Sequence, residues 1–253
     1  MRTVCIAMAC ALGAWSQPKD KEGAFGRQMA AEILRQYPAL DDSDVDSYVN
    51  RLAGRIAAPA KTTVKAIVTD TAETALGAIP GGFLFVSNGV ILRMESEAEL
   101  AGVVAHGIAH IAARHGIRLA DRTQPVTVPA TPIIFAGGIQ GACACASVAI
   151  PLGVMNQLTR FEEEADRLAA GYLKQAGFDA QGLFDGMKRM SCADAEVREG
   201  RERLRAELAD QITQPGGILT SSEFDQVRHR LQTLKRPEPA RAPPTLRRPP
   251  RHF

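Results

Sequence analysis

The sequence predicts an α+β fold, mainly helical with one small sheet, and three observations carry that prediction. Apolar residues recur at helical spacing in several windows, with residues 24–34 and 45–56 the earliest. Two short runs, residues 64–69 and 83–86, have the β-branched or continuous apolar character of strands. Ser96 is followed three residues later by Glu99, just ahead of Leu100, Val103 and Val104, which is the capping-box signature of a helix start. A chain of 253 residues has room for one sizeable core or at most two small ones.

Taken in order, residues 1–16 carry one positive charge at Arg2, an apolar run over 4–15, and the small residues Ala14 and Ser16 ahead of Gln17. This is the pattern of a secretory leader cleaved after Ser16, and the run is too short for a comfortable membrane span. It predicts an exported protein, periplasmic or membrane-associated. Cleavage would remove Cys5 and Cys10 and leave Cys143, Cys145 and Cys192, which is not a disulfide framework. Cys143 and Cys145 are one residue apart, tighter than the usual zinc pair, and read as small buried side chains.

A domain over residues 17–234 follows. Two amphipathic helices open it, the second entered through the Asp41-Asp42-Ser43-Asp44 cluster as an N-cap region. Residues 64–69 form a strand; Pro80-Gly81-Gly82 breaks the chain before the strand Phe83-Leu84-Phe85-Val86, and Ser87-Asn88-Gly89 reads as its exit turn. The helix starting at Ser96 is expected to run to Gly116. Residues 123–159 contain no charge and are interrupted by prolines and glycines, which suits either a buried helical hairpin or one that touches a membrane. Further helices are expected over 160–176, 196–211 and 222–234.

The formal net charge of +2 is unevenly distributed, because residues 235–253 hold six basic residues and one acidic, leaving the body mildly acidic. That Pro- and Arg-rich tail has almost nothing to bury and reads as disordered. Aromatic residues make up only 5% of the chain, so base-stacking platforms are scarce and a nucleic-acid partner is not expected.

The chemistry-bearing residues cluster in two places. His106 and His110 are four residues apart on the predicted helix, so both imidazoles leave one face and can grip a single ion; two packed histidines would give the same spacing. About fifty residues on, Glu162 and Asp166 also share a helical face. Glu162 can complete a two-His, one-Glu zinc set while Asp166 orients a liganding histidine. The bland alternative is an acidic first turn favoured by the helix dipole. His115 reads as the C-terminal cation of the His106 helix.

The stretch from Pro80 through Gly89, then Ser96-Glu97-Ala98-Glu99-Leu100-Ala101 leading into His106 and His110, then Glu162-x-x-Ala165-Asp166, resembles the zinc metallopeptidase family of the CAAX prenyl proteases. It is most similar to that family's exported bacterial members, which act in envelope protein quality control. The resemblance covers residues 24–234 apart from 190–205. It implies a gluzincin fold, one Zn²⁺ on His106, His110 and Glu162, and a sheet edge formed by Phe83, Leu84, Phe85 and Val86 that takes up extended or misfolded polypeptide by strand addition.

One position departs from the family pattern. The family's catalytic glutamate directly follows the first histidine, and this chain has Gly107 there. In such enzymes that glutamate takes a proton from the attacking water and delivers it to the leaving amine, and general acid–base assistance of this kind is worth about 100- to 10,000-fold. Glycine can do neither, and it costs about 0.5–1 kcal/mol in a helix interior. The family's His-Pro motif is also absent, since residues 190–205 contain no histidine. Glu163 and Glu164 lie on other helix faces than Glu162. The sequence therefore leaves two readings: an impaired peptidase of this family, or a non-catalytic zinc-binding module that holds extended chains.

Overall fold

The computed structural model describes residues 19–123, 134–136, 152–190, 195–212 and 217–234. The leader over 1–16, most of the uncharged 123–159 stretch, the three later cysteines and the tail over 235–253 lie outside the described residues. Helices α1 (Lys19–Gln36) and α2 (Ser43–Ala57) come first. Asp42 caps α2, its carboxylate accepting from the backbone N–H of Asp44 and Val45, each at 3.2 Å.

Three strands follow, β1 (Lys65–Thr69), β2 (Leu76–Ile79) and β3 (Phe83–Ser87), with a later β4 (Ile134–Ala136). The sheet order is β1-β3-β2-β4. Gly81 and Gly82 both have positive φ, 81° and 85°, and fold β2 back onto β3 as an antiparallel hairpin. β1 lies parallel to β3 on its other side.

This topology corrects the edge assignment. Phe83, Leu84, Phe85 and Val86 are internal, hydrogen-bonded to β1 on one side and β2 on the other. The reason is the hairpin: the Pro80-Gly81-Gly82 turn brings in Leu76–Ile79, a Leu-Gly-Ala-Ile segment with little strand signature, as a neighbouring arm. The outer edge of β1 is itself covered. The Asn50 side-chain amide pairs with both backbone groups of Ala66, at 3.0 and 3.1 Å, and Leu40 N–H donates to Val68 O at 2.8 Å.

Alternation along β3 divides the apolar residues into two clusters. Leu84 and Val86 join the main core with Ala66, Val68, Leu76 and Ala78, whereas Phe85 packs on the opposite face against Ile79 and Met29, Ala30 and Ile33 of α1.

The main core surrounds α4 (Glu97–Ala112), in which every residue from Glu97 to His110 is buried. Ser96 caps it, its Oγ accepting from Glu99 N–H at 3.2 Å; the Glu99 carboxylate reaches back to Glu95 N–H at 2.8 Å rather than to Ser96. Ahead of it, Ser87 caps the short α3 (Asn88–Arg93), where an exit turn is expected from sequence. After α4 come α5 (His115–Thr123), α6 (Leu152–Gln175), α7 (Gln181–Arg189), α8 (Ala195–Glu207), α9 (Ala209–Ile212) and α10 (Ser222–Thr233). α7 presses against α4 through glycine: a Cβ on Gly102 would stand 2.5 Å from the Leu183 Cα, and one on Gly182 would strike the Ala98 carbonyl. α4 is thus held from several sides at once, by α7, α6, α2 and the sheet.

Candidate metal centre

The site is built across α4 and α6. On α4, the i, i+4 spacing puts the His106 and His110 imidazoles on one face, with their Nε2 atoms 2.9 Å apart. On α6, Phe161, Ala165, Ala169 and Leu173 are buried against the core, and the adjacent face brings Glu162 and Asp166 over the histidines. Glu162 Oε2 lies 3.4 Å from His106 Nε2, and Oε1 lies 3.4 Å from His110 Nε2. Asp166 Oδ1 lies 2.8 Å from His106 Nδ1. The structure therefore brings together His106, His110 and Glu162 as one metal-competent group, with Asp166 behind it.

The donor set fits a tetrahedral ion. Ligand atoms about 2.0–2.1 Å from a zinc ion in a tetrahedron are about 3.3 Å apart, close to the separations of 2.9, 3.4 and 3.4 Å found here. The electrostatics agree. Burial disfavours the His106 imidazolium, but the Asp166 and Glu162 carboxylates outweigh it and raise its pKa to about 9. Burial and the His106 charge both lower that of His110. Burial opposes ionisation of Glu162, yet the two histidines hold its carboxyl well below the ordinary value. The half-buried Glu162 carboxylate facing two ring nitrogens, with the outer nitrogen of His106 already committed to a second carboxylate, is a donor set that suits a cation.

Gly107 is on the neighbouring face of α4, toward the sheet. A Cβ there would stand 2.5 Å from Leu84 Cδ1 and 3.1 Å from Leu76 Cδ2. The leucine side chains of β3 and β2 thus fill the space that a side chain at 107 would enter. The two neighbouring acids on α6 have partners of their own. Glu163 faces Arg203, and Glu164 faces Arg118 and His115.

Two residues of the site have roles that sequence reading does not find. Arg201 on α8 donates from Nε to Asp166 Oδ2 at 2.7 Å and from Nη2 to Glu162 Oε2 at 2.9 Å, joining the two acids. Its signal was hidden in a heavily charged helix, where one arginine looks like the next. His115 is the other, and here the expected helix needs correction. α4 ends at Ala112 because Arg114 adopts φ 54°, and α5 begins at His115, which is not a C-terminal cation. The turn swings the His115 ring inward, fully buried and stacked on Phe161 at 4.2 Å, with Nδ1 2.9 Å from His110 Nδ1. Burial, reinforced by the positive charge on its neighbours, lowers its pKa to about 4 and keeps it neutral.

Beside His110 the surface opens in a narrow cleft bordered by Ala78, Ile79 and Pro80 at the end of β2 and by Arg114, whose guanidinium donates to Glu22 of α1 at 2.6 Å. The strand bordering the metal cluster is therefore β2, with β4 paired along its outer side.

Known proteins share this arrangement of sequence. The chain is 30% identical over 185 residues to a putative beta-barrel assembly-enhancing protease of Vibrio cholerae, an overlap of 68% of this chain and 38% of that protein. It is 25% identical over 232 residues to the beta-barrel assembly-enhancing protease of Yersinia pestis, covering 85% of this chain and 45% of that protein. It is 28% identical over 190 residues to the mitochondrial metalloendopeptidase OMA1 of Schizosaccharomyces pombe, covering 70% and 54%. The chain thus spans less than half the length of the two bacterial relatives. Residues 39–233, from just ahead of α2 to the end of α10, match peptidase family M48. With a His-His-Glu group at the junction of its two central helices, the chain belongs to peptidase family M48.

Proposed function

We propose that this protein is a zinc-binding member of the family, exported through its leader and engaged with extended or misfolded envelope polypeptides, in which peptide-bond hydrolysis is impaired. The observation that carries the reading is Gly107, set beside the two retained histidines with Leu84 and Leu76 packed over its Cα. One Zn²⁺ would be held by His106 Nε2, His110 Nε2 and the Glu162 carboxylate, where it would polarise a peptide carbonyl as a Lewis acid.

The chain's own residues supply the rest of what holds that ion. Asp166 Oδ1 accepts the hydrogen on His106 Nδ1, so that Nε2, on losing its own proton, is the nitrogen that would face the ion, while Arg201 orients both acids of α6. The proton transfer that hydrolysis needs has no carrier of the family type. Asp166 is spent on His106 and Arg201, and Glu162 faces the histidines. The relatives' names, a protease that enhances beta-barrel assembly and a metalloendopeptidase, support envelope proteolysis or quality control as the setting. The uncharged 123–159 stretch suits contact with a membrane as well as a buried hairpin; no helix among the described residues is long and apolar enough to cross one.

A second reading, a chaperone-like module that binds extended chains without cutting them, is favoured by the same packing at Gly107. Cleavage of reduced, carboxymethylated α-lactalbumin by the zinc-loaded wild type, with and without chelator, separates the two. Gly107→Glu combined with Leu84→Ala, which clears room for the new side chain, serves as the positive control. The impaired-peptidase reading expects slow, chelator-sensitive cleavage that the double variant accelerates by about 100- to 10,000-fold. A wild type with no cleavage above the chelated blank, beside an active double variant, establishes the binding module. Wild-type cleavage as fast as the double variant would overturn both.

A further inference from the structure

We propose that His115 and Glu164 form the hydrogen-bonded support that aims His110 at the metal, a second arm equivalent to the one Asp166 gives His106. The proposal rests on the metal-site reading above and adds two positioning residues to it.

The geometry is explicit. His110 presents Nε2 to His106 and Glu162, so its other nitrogen, Nδ1, faces away from the cluster and meets His115 Nδ1 at 2.9 Å. Two ring nitrogens at that distance need one hydrogen between them. Either His110 Nδ1 donates, which leaves its Nε2 lone pair for an ion, or His115 Nδ1 donates, which puts the hydrogen on His110 Nε2 and blocks coordination.

Glu164 decides between them. His115 Nε2 is buried without a well-aligned hydrogen bond, and the Glu164 carboxylate faces it with Oε2 at 3.3 Å. A lone pair aimed at a carboxylate is repelled, whereas an N–H is attracted, so His115 carries its hydrogen on Nε2 and accepts on Nδ1. His110 must then donate from Nδ1 and offer Nε2 to the metal. Glu164 is held in turn by Arg118, whose Nη1 lies 3.0 and 3.2 Å from its two oxygens. Arg118 also lies 4.7 Å from the Phe161 ring centroid, the ring on which His115 stacks. The arm runs His110, His115, Glu164, Arg118 and ends at the half-exposed Arg118–Glu164 pair.

The test measures Zn²⁺ affinity of the full chain by competition with a chelating indicator, and the ring N–H signals of the Co²⁺-substituted protein by NMR. His115→Phe keeps the ring and its stacking but removes the acceptor. It should weaken Zn²⁺ binding by about 10- to 100-fold and lose the slowly exchanging His110 N–H signal while that of His106 persists. A general loosening would move both signals. His115→Asn places an amide oxygen near the Nδ1 position and should recover part of the affinity. Glu164→Ala, at a side chain 42% exposed and able to change without unfolding the chain, should weaken binding by a smaller factor and speed exchange of the same signal. Unchanged affinity in His115→Phe, or, should that variant not fold, in Glu164→Ala with both N–H signals intact, overturns the inference alone. A wild type that binds no Zn²⁺ overturns the metal-site reading and this inference with it.

Discussion

Two faces of one turn of α4 have been treated differently. The face bearing His106 and His110 is polar and partnered outward in both directions, through Asp166 and Arg201 on one side and through His115, Glu164 and Arg118 on the other. The face bearing Gly107, one residue along, is dry, filled by Leu84 and Leu76 from the sheet. On the function proposed above, holding a metal and moving a proton would be separable in this fold. The first needs a buried arrangement of fixed donors, which takes many residues to build. On the reading proposed above the second would hang on one side chain, and at Gly107 the neighbouring leucines occupy the space such a side chain would enter.

The largest effect should come from breaking the polar face. His106→Ala removes a donor together with the partner of Asp166, leaving that buried carboxylate with Arg201 alone. Zinc content of the purified protein, about one equivalent in the wild type, should fall to background in elemental analysis. A variant that retains its zinc would place the metal elsewhere and erase the contrast between the faces.

On the dry face the expected changes are in stability. Leu84→Ala should cost about 2–5 kcal/mol, as core truncations do. Gly107→Ala should fail to deliver the roughly 1 kcal/mol that replacing a helical glycine ordinarily returns, because its methyl meets Leu84 Cδ1. In the Leu84→Ala background the same change should become stabilising. A double-mutant cycle in urea should therefore show favourable coupling of about 0.5–3 kcal/mol. Additive costs would mean that Leu84 does not occupy the 107 space.

This division explains what the sequence made legible. The polar face announced itself because metal donors need particular residue types at helical spacing, so the i, i+4 pairs His106/His110 and Glu162/Asp166 stood out. Ser96 and Glu99 marked the start of α4 for an equally local reason, a side chain meeting a backbone N–H three residues away. What was hidden depended on distant neighbours. Leu76–Ile79 becomes a strand only because the Gly81-Gly82 turn pairs it with β3. α7 was missed because Gly182 and Gly186 interrupt its pattern, and those glycines exist to let it close on α4. The true place of His115 is hidden because the break before it falls on Arg114, an arginine with left-handed backbone at a position that ordinarily favours glycine. Phe83–Val86 went to the edge because nothing local says how many neighbours a strand has.

A buried carboxylate outside the metal centre sharpens the contrast, with the smallest effect of the series. Asp42 is buried like Asp166, but its partners are the N-terminal N–H groups of α2 and, at 2.6 Å, Arg230 of α10. Burial raises its pKa, and Arg230 with the two backbone N–H groups more than reverses that, leaving it below the ordinary 3.8. A carboxyl depressed in the folded state contributes stability that is fully present above its unfolded pKa and is lost as pH falls through the folded one. Asp42→Ala should therefore cost about 0.5–2 kcal/mol at neutral pH, and the urea midpoints of variant and wild type should converge as the solution is acidified below pH 3.8. Zinc affinity at neutral pH should not change. A loss of zinc binding in Asp42→Ala would mean that the charge pattern around the metal extends through α2, and that the two faces of α4 are not the independent units their packing describes.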